Sequence, residues 1–198
     1  MTRFYVGLGS NLGDRLATLR SAVAALAALP GVTLARCSSI WETRPLGPGT
    51  GPFCNAAVEL LCEGVSATEL LAALLEIERA HGRQRRERWG DRTLDLDLLC
   101  GYADDRGELG DLVELVELVI DVAGLTLPHP GVGARDFVLQ PLVDIDPELE
   151  IRGRTVGDWL AALPPEERTL LGRLDGELGE GLVLPDSGPS ATVRRPGG

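Results

Sequence analysis

The sequence predicts an α+β fold, because segments with the patterns of strands and helices follow one another in the order β-α-β-β-α-β. Two kinds of periodicity support this prediction. Four short segments alternate apolar with polar or small residues, which is typical of strands with one buried face. Two segments between them carry apolar residues three and four positions apart, which is typical of amphipathic helices. At 198 residues without an internal repeat, the chain is long enough for one domain, or for one domain with an appendage.

The first strand and the first helix are predicted within residues 3–31. Alternation from Arg3 to Leu8 places three apolar side chains on one face, namely Phe4, Val6 and Leu8. The turn that follows offers Ser10 or Asn11 as the N-cap of a helix, with Asp14 in its first turn. The helix carries one apolar stripe, which consists of Leu12, Leu16, Leu19, Val23 and Leu26. Pro30-Gly31 is predicted to end it.

A second strand is predicted from Val32 to Trp41, and a loop from Thr43 to Pro52, which contains three Pro and three Gly. The third strand, Phe53 to Cys62, has an apolar face formed by Ala56, Val58, Leu60 and Cys62. Its other face carries Phe53, Asn55 and Ala57. An aromatic ring and an amide on this face favour a binding surface, although a solvated edge would have the same pattern.

The second helix is predicted to begin at a capping box, Ser66-Ala67-Thr68-Glu69, and to end near His81-Gly82. Its inward residues are Leu70, Leu71, Leu74 and Ile77. With the strand that follows it, the order becomes that of a ferredoxin-like antiparallel sheet with both helices on one face. The opposite face of the sheet is then left for four side chains, namely Phe53, Asn55, Asp95 and Asp97.

Residues 82–97 combine an arginine-rich loop with an acidic strand. The loop carries Arg83, Arg85, Arg86, Arg88 and Arg92. In the strand from Thr93 to Leu99, alternation places Leu94, Leu96 and Leu98 on one face, and Asp95 and Asp97 on the other. Two carboxylates about 7 Å apart along a strand face can hold hard divalent cations. Guanidinium groups can bind a polyanion, so the segment fits transfer from a nucleoside triphosphate, which depends mostly on positioning and charge neutralisation.

Each half of this segment also has a simpler interpretation. An isolated Asp-x-Asp pair is more often a solvated strand face, and an arginine-rich loop is often a solvated surface or a nucleic-acid patch. The combination in one run with Trp89 favours a functional site. Repulsion between the two carboxylates also predicts that a cation or the arginines lie against them.

The remainder of the chain is predicted as a C-terminal α/β extension of the sheet. Residues 101–124 are acidic, and the part from Leu112 to Ile120 fits a strand or a short helix equally. His129 lies between two prolines and is equally consistent with a structural role and with contact to phosphates. A short helix is predicted from Thr155 to Leu163. We expect one domain over residues 1–172 and an extension over residues 173–198, disordered from Asp186 onwards.

Composition and charge limit the class of protein. With 44% hydrophobic and 25% charged residues, the composition is that of a soluble globular protein. No apolar run approaches the roughly 20 residues that span a bilayer, and the N-terminus lacks a signal peptide, so a cytoplasmic location is expected. Four cysteines without metal-type spacing are predicted to be reduced. Residues 101–198 carry the whole net charge of −11, which disfavours a large nucleic-acid surface.

Taken together, these segments resemble the 6-hydroxymethyl-7,8-dihydropterin pyrophosphokinase family of folate biosynthesis. The residues that carry the resemblance are Gly9 to Leu12, Ser39 to Gly47, Asn55 to Val58, Gly82-Arg83, Arg88 to Leu98, Leu127 to Pro130, and Arg135 to Leu142. The resemblance implies a ferredoxin-like fold. It also implies an ATP-dependent diphosphotransferase, in which Mg²⁺-dependent transfer of pyrophosphate from ATP to the hydroxymethyl group of the pterin releases AMP. A monomer is the expectation for this family.

The resemblance implies a role for each matching residue. Arg83, Arg92, Asp95 and Asp97 would be catalytic, and two Mg²⁺ ions would be held by Asp95 and Asp97. The pterin would be bound by Thr43, Pro45, Leu46, Phe53, Asn55, Trp89 and Phe137. ATP would be bound by Glu78, Arg83, Arg85, Arg92, Leu98, Thr126, His129 and Arg135. The chain departs from the family at Phe53, where Tyr is common, in the longer acidic segment over residues 104–121, and in the C-terminal tail.

Two other functions compete with this interpretation. A ferredoxin-like regulatory module without catalysis would explain the fold and the acidic surface, but not two acids and Arg92 in one uninterrupted run. A glycosyltransferase that uses Asp-x-Asp with a nucleotide sugar would require a larger, doubly wound domain. Stabilisation of the protein by a pterin with an ATP analogue, or by a nucleotide sugar, would distinguish them.

Overall fold

The structure is a computed structural model that describes residues 1–47, 51–82, 91–106 and 113–184. Several predictions lie outside these residues. They concern the loop arginines Arg83, Arg85, Arg86 and Arg88, the neighbouring Trp89, and the disorder expected over residues 186–198.

The described chain contains strands and α-helices in mixed order. They are β1 (Thr2–Ser10), α1 (Arg15–Ala27), β2 (Val32–Cys37), β3 (Ile40–Thr43), β4 (Phe53–Cys62), α2 (Ala67–Ala80), β5 (Asp95–Arg106), β6 (Val113–Glu117), β7 (Ile120–Val122), β8 (Leu125–Leu127), α3 (Asp136–Ile145), β9 (Glu150–Ile151), β10 (Arg154–Thr155), α4 (Val156–Ala161) and β11 (Leu170–Leu174). The prediction of a mixed fold of helices with an antiparallel sheet is confirmed.

One sheet organises the molecule. Its strand order is β11-β3-β4-β1-β5-β6, with β2 also paired to β4, and every pairing is antiparallel. The segment for which periodicity fitted strand and helix equally contains strand β6, which pairs with the second half of β5. Strand β11 pairs with β3 and extends past residue 172, where the sequence placed a domain boundary. In the described residues, no helix is long and apolar enough to cross a membrane.

The strand predicted from Val32 to Trp41 is interrupted, which corrects that prediction. Strands β2 and β3 both pair with β4, and Ser38 lies between them. Its hydroxyl accepts the backbone N–H of Ala57 at 2.8 Å and donates to the Ser39 carbonyl at 2.7 Å. A side chain thus replaces the backbone acceptor for Ala57, so the two strands are joined by a break in regular pairing.

The first hydrophobic core lies between the sheet and helices α1 and α2. The predicted alternation is confirmed, because the apolar faces of β1, β4 and β5 all contribute buried residues to it. Helix α2 begins with the predicted capping box between Ser66 and Glu69. The N-cap of α1 is Asp14, and neither Ser10 nor Asn11, since the Asp14 carboxylate accepts the backbone N–H of Ala17 at 3.0 Å. Leu12 is exposed before the helix begins, so it does not belong to the apolar stripe.

A second hydrophobic core covers part of the opposite face of the sheet. Helices α3 and α4 pack there against Tyr5, Ala57 and the residues after a bulge in β5. At this bulge Val6 pairs with Leu98 and Tyr5 with Cys100, so Leu99 and Cys100 both contribute to the second core. The sequence predicted that this whole face is available for the site. In the structure, the second core covers the face except at the end that carries Asn55, Asp95 and Asp97.

Glu59 forms a buried ionic network at the other end of this face. The residue is 1% exposed, and its carboxylate pairs with Arg3 at 2.6 Å and with Arg36. Arg36 also donates to the Ile145 carbonyl at 2.8 Å, at the end of α3. One carboxylate therefore connects β1, β2, β4 and α3. All four cysteines are free, as predicted.

Candidate active site

Three neighbouring strands bring the predicted polar residues to one level of the sheet. Gly9 in the central strand β1 pairs with Asn55 in β4 on one side and with Asp95 in β5 on the other, and Gly7 pairs with Asp97. A Cβ atom on Gly9 would lie 3.1 Å from Oδ1 of Asn55. The glycine therefore gives the site a low floor between the amide and the carboxylates. Gly9 was not predicted as a site residue, although the Gly-Leu-Gly alternation in β1 was the available signal.

Above this floor lies a cleft of about 240 Å³. The structure brings together most of the predicted site residues that it describes, namely Thr43, Leu46, Phe53, Asn55, Arg92, Asp95, Asp97, His129, Arg135 and Phe137. Gly9 and Arg44 complete the lining and were not predicted. The lining residues are spread along the chain from Gly9 to Phe137, so only the tertiary fold assembles the cleft.

The two carboxylates are in an environment that disfavours a second negative charge. Burial raises the pKa of Asp97 above its usual value, and the Asp95 carboxylate raises it further, whereas His129, Arg135 and Arg92 act in the opposite direction. Arg92 forms an ion pair with Asp95. Within the described part of the chain, no group of three or more His, Cys, Asp or Glu side chains is placed to hold a metal by itself. Two carboxylates fit a cation that takes its other ligands from a substrate and water.

Asn11 binds the two residues Asp91 and Arg92, which precede strand β5. Its side-chain amide donates to Asp91 at 2.6 Å and accepts the backbone N–H of Arg92 at 2.7 Å, while its own N–H donates to the Arg92 carbonyl at 3.1 Å. Asn11 therefore fixes the backbone from which Arg92 reaches the acids. The sequence placed Asn11 as a helix cap and missed this role, because its partners lie 80 residues away.

Polar and aromatic side chains form part of the cleft lining. Asn55 donates to the Thr43 hydroxyl at 2.7 Å, which fixes the orientation of the amide. Phe53 at the start of β4 and Phe137 in the first turn of α3 also line the cleft. Two aromatic rings beside an oriented amide suit a flat heterocycle with hydrogen-bonding edges.

His129 faces the cleft with a defined tautomer. Its backbone N–H donates to the Leu99 carbonyl at 2.7 Å, and its Nδ1 accepts the backbone N–H of Gly131 at 3.1 Å. When the ring is neutral, the proton is therefore on Nε2. Burial lowers the pKa of His129, which favours the neutral ring, although the Asp97 carboxylate opposes this effect. The guanidinium of Arg135 lies 5.8 Å from the centre of the Phe137 ring, so this end of the cleft presents both a cation and an N–H donor.

Four predicted site residues do not line the cleft. Glu78 is 2% exposed and accepts the backbone N–H of Leu96 at 2.8 Å, so it supports β5 between the two acids. Leu98 belongs to the first core, on the other side of the sheet. The Thr126 hydroxyl donates to Asp121 at 3.3 Å, and Pro45 lies in the loop after β3. Arg83, Arg85 and Trp89 lie outside the described residues.

Comparisons with known proteins agree on one family. The family model for 7,8-dihydro-6-hydroxymethylpterin-pyrophosphokinase (HPPK) matches residues 5–147. A 2-amino-4-hydroxy-6-hydroxymethyldihydropteridine pyrophosphokinase of Methylorubrum extorquens is 42% identical over 166 residues, which are 83% of this chain and 96% of that protein. Proteins of the same name from Mycobacterium leprae and Pseudomonas aeruginosa are 40% identical over 173 residues and 38% identical over 165 residues, covering 86% and 93% of those proteins and 85% and 83% of this chain.

Solved structures agree on the fold. The HPPK-DHPS of Plasmodium falciparum with pterin and p-hydroxybenzoate superposes with a TM-score of 0.57 and 12% identity. The match covers 81% of this chain and 42% of that one. An HPPK-DHPS in complex with substrates gives the same TM-score of 0.57, with 43% of its length covered. The chain therefore spans less than half of these longer proteins, and at this identity the likeness concerns the fold alone.

Proposed function

Because the chain belongs to the 7,8-dihydro-6-hydroxymethylpterin-pyrophosphokinase family, we propose that the cleft above Gly9 is the site at which it transfers pyrophosphate from ATP to 6-hydroxymethyl-7,8-dihydropterin. The chain is an ATP-dependent diphosphotransferase of folate biosynthesis. The observation that carries the placement of the site is that Asp95, Asp97 and Arg92 line the same cleft as Asn55 and the two phenylalanines.

The acidic pair is assigned to Mg²⁺. Asp95 and Asp97 supply hard oxygen ligands on one strand face. Burial and then the Asp95 carboxylate raise the pKa of Asp97, so a bound cation would favour its charged form. Two Mg²⁺ ions held by these carboxylates would neutralise the triphosphate and polarise the hydroxyl of the pterin. Arg92 already pairs with Asp95 and would keep its guanidinium beside the transferred group.

The two phenylalanines and Asn55 are assigned to the pterin. Phe53 and Phe137 would lie against the two faces of the flat ring, and Asn55, oriented by Thr43, would bind its polar edge. Leu46 and Pro45 belong to the loop that follows Thr43 and would contact the same ring. This arrangement leaves the hydroxymethyl group directed towards the acids on the other side of the Gly9 floor.

The part of the cleft with His129 and Arg135 is assigned to ATP. His129 would donate its Nε2–H to a phosphate oxygen, and Arg135 would add a guanidinium. Glu78 would act on nucleotide binding through strand β5, whose backbone it supports. Thr126 and Leu98 remain assigned to ATP by the resemblance alone, as do Arg83 and Arg85. With Trp89, these two arginines would close over the substrates and exclude water.

The topology of the fold, the domain bounds, the location and the oligomeric state belong to the same proposal. We propose that strands β1 to β5, together with α1 and α2, form a ferredoxin-like unit, which the order of these elements along the chain supports. We assign residues 1–172 to the pyrophosphokinase domain and residues 173–198 to an extension. The protein would act as a cytoplasmic monomer on small-molecule substrates, without a nucleic acid or a membrane.

The test of this function is the formation of AMP. The purified protein is mixed with ATP, Mg²⁺ and 6-hydroxymethyl-7,8-dihydropterin, with controls that lack each component. AMP and pterin diphosphate in equal amounts, in the complete mixture only, are expected. ADP in place of AMP would show that a single phosphoryl group moves, which would contradict the proposal. Binding of the pterin without any nucleotide product would favour a regulatory module.

A further inference from the structure

Asp136 is a buried carboxylate next to the cleft. It is the first residue of α3 and lies between Arg135 and Phe137, but it is 1% exposed and its side chain turns away from the cleft towards the C-terminal part of the chain. The backbone N–H groups of Thr169 and Leu170 donate to its Oδ2 at 2.5 and 2.8 Å, and the Thr169 hydroxyl donates to its Oδ1 at 2.6 Å. Three hydrogen bonds to one charged acceptor fix the position of this residue strongly.

The same C-terminal segment also holds the opposite wall of the cleft. The Thr169 carbonyl accepts the backbone N–H of Arg44 at 2.9 Å, and the Arg168 carbonyl accepts the Arg44 guanidinium at 2.6 Å. Leu170 pairs with Thr43 at the start of β11. Since Thr43 and Arg44 line the cleft, residues 168–170 connect the wall that carries Thr43 with the helix that carries Phe137.

Residues 168–170 lie outside residues 5–147, which the family model matches, whereas their partners Asp136 and Arg44 lie within them. We propose that Asp136 and Thr169 are positioning residues, which set the separation of the two walls and thereby the affinity of the cleft for the pterin. The inference rests on the proposed placement of the pterin between Phe53 and Phe137. Neither residue is expected to touch the substrate.

The physical reason is the geometry that a flat ligand requires. A ring held between two aromatic side chains loses contact when one wall moves by a fraction of an ångström, because dispersion forces fall steeply with distance. Wall separation acts on the bound ground state and on the transition state together. A change in the separation of the walls therefore raises the dissociation constant and KM for the pterin, and leaves kcat at saturation nearly unchanged.

Three variants separate the contributions. Asp136→Ala removes both acceptor oxygens and with them all three hydrogen bonds, whereas Asp136→Asn keeps the shape and one carbonyl oxygen for the two backbone donors. Thr169→Val removes only the hydroxyl. We expect Asp136→Ala to raise the pterin Kd, measured by calorimetry, and the pterin KM by about tenfold, with kcat changed by less than about threefold. Asp136→Asn should restore most of the affinity, and Thr169→Val should raise Kd by about threefold.

Asp144→Ala is the matched control. Asp144 lies on the same helix and also connects it to the sheet, since it accepts the Ser39 N–H at 3.2 Å and the Trp41 indole N–H at 2.9 Å, but it is two turns from Phe137. Its loss should leave the pterin Kd unchanged. Equal increases of Kd in Asp136→Ala and Asp144→Ala would overturn the inference, as would a fall of kcat at unchanged Kd.

The two milder variants keep the inference testable if Asp136→Ala does not fold. Wild-type affinity in Thr169→Val would then contradict a positioning role, since this variant removes one of the three hydrogen bonds to Asp136. A loss of pterin affinity in Asp136→Asn larger than that in Thr169→Val would contradict the expectation that its shape and carbonyl oxygen suffice. The proposed function fails differently, because in that case the wild-type protein itself would form no AMP with the pterin.

Discussion

At the scale of single residues, Asp97 combines a functional position with a cost in stability. Its folded-state pKa is raised, chiefly by burial and then by Asp95, so the charged carboxylate is disfavoured in the metal-free protein. Asp97→Asn is therefore expected to lower turnover by about a thousandfold or more, while it raises the melting temperature in the presence of a chelator. Circular dichroism melts and the AMP assay measure the two effects.

The pH dependence of this effect has a definite sign. A carboxyl whose folded pKa exceeds its unfolded pKa favours folding when it is protonated, and this stabilisation is lost as pH rises from the unfolded pKa through the folded pKa. Over this pH window the melting temperature of wild type should therefore decrease relative to that of Asp97→Asn. At higher pH the difference between the two melting temperatures should stay constant. A gap that closes with rising pH, or a variant that unfolds, would show that Asp97 stabilises the fold.

Arg92 is expected to act mainly in the transition state, because its guanidinium pairs with Asp95, one of the two acids assigned to Mg²⁺. Arg92→Ala should lower kcat by about a hundredfold and change the pterin Kd by less than about threefold. Arg79→Ala, which removes an exposed arginine paired with Glu76, is the matched control and should change neither. Equal losses in kcat and affinity for Arg92→Ala would indicate simple ground-state binding.

At the scale of elements, the loop between β1 and α1 separates a structural residue from a functional one. Asp14 caps α1, so Asp14→Ala should lower the free energy of unfolding by about 1 kcal/mol and leave turnover unchanged. Asn11 instead holds the backbone of Asp91 and Arg92, so Asn11→Ala should lower kcat by about tenfold. Urea unfolding and AMP formation on both variants measure the difference. The opposite pattern would mean that Asn11 acts as the helix cap, as its sequence context suggested.

At the scale of the whole molecule, Glu59 connects the sheet with α3 from the end opposite the cleft. Its removal leaves the guanidinium groups of Arg3 and Arg36 without their buried partner. Glu59→Ala should therefore lower the free energy of unfolding by about 3 kcal/mol. Turnover below the unfolding transition should change little, because Glu59 does not line the cleft.

Glu76→Ala is the control for this prediction. It breaks an exposed pair with Arg79, so it should lower the free energy of unfolding by less than about 0.5 kcal/mol. Urea unfolding of both variants gives the comparison. Similar losses of unfolding free energy in Glu59→Ala and Glu76→Ala would show that the buried ion pairs of Glu59 stabilise the fold no more than an exposed pair does.

The sequence by itself determined the local structure and the chemistry of the central segments. Period-two alternation placed Asp95 and Asp97 opposite the buried leucines, and it placed Asn55 opposite the apolar face of β4, because successive side chains of a strand point to opposite faces. The capping box of α2 was also predicted, since its partners are three residues apart. The long motif from Arg88 to Leu98 was specific enough to indicate the family.

The tertiary structure alone decided the features that depend on distant partners. The interruption at Ser38, the bulge at Leu99 and the role of Asn11 each arise from contacts with another strand or loop. The second core limits the site to one end of the sheet face, and no local pattern in the sequence predicted this core. Asp136 meets Thr169 across 33 residues, and such a contact is specified by the packing of whole elements, so local periodicity cannot reveal it.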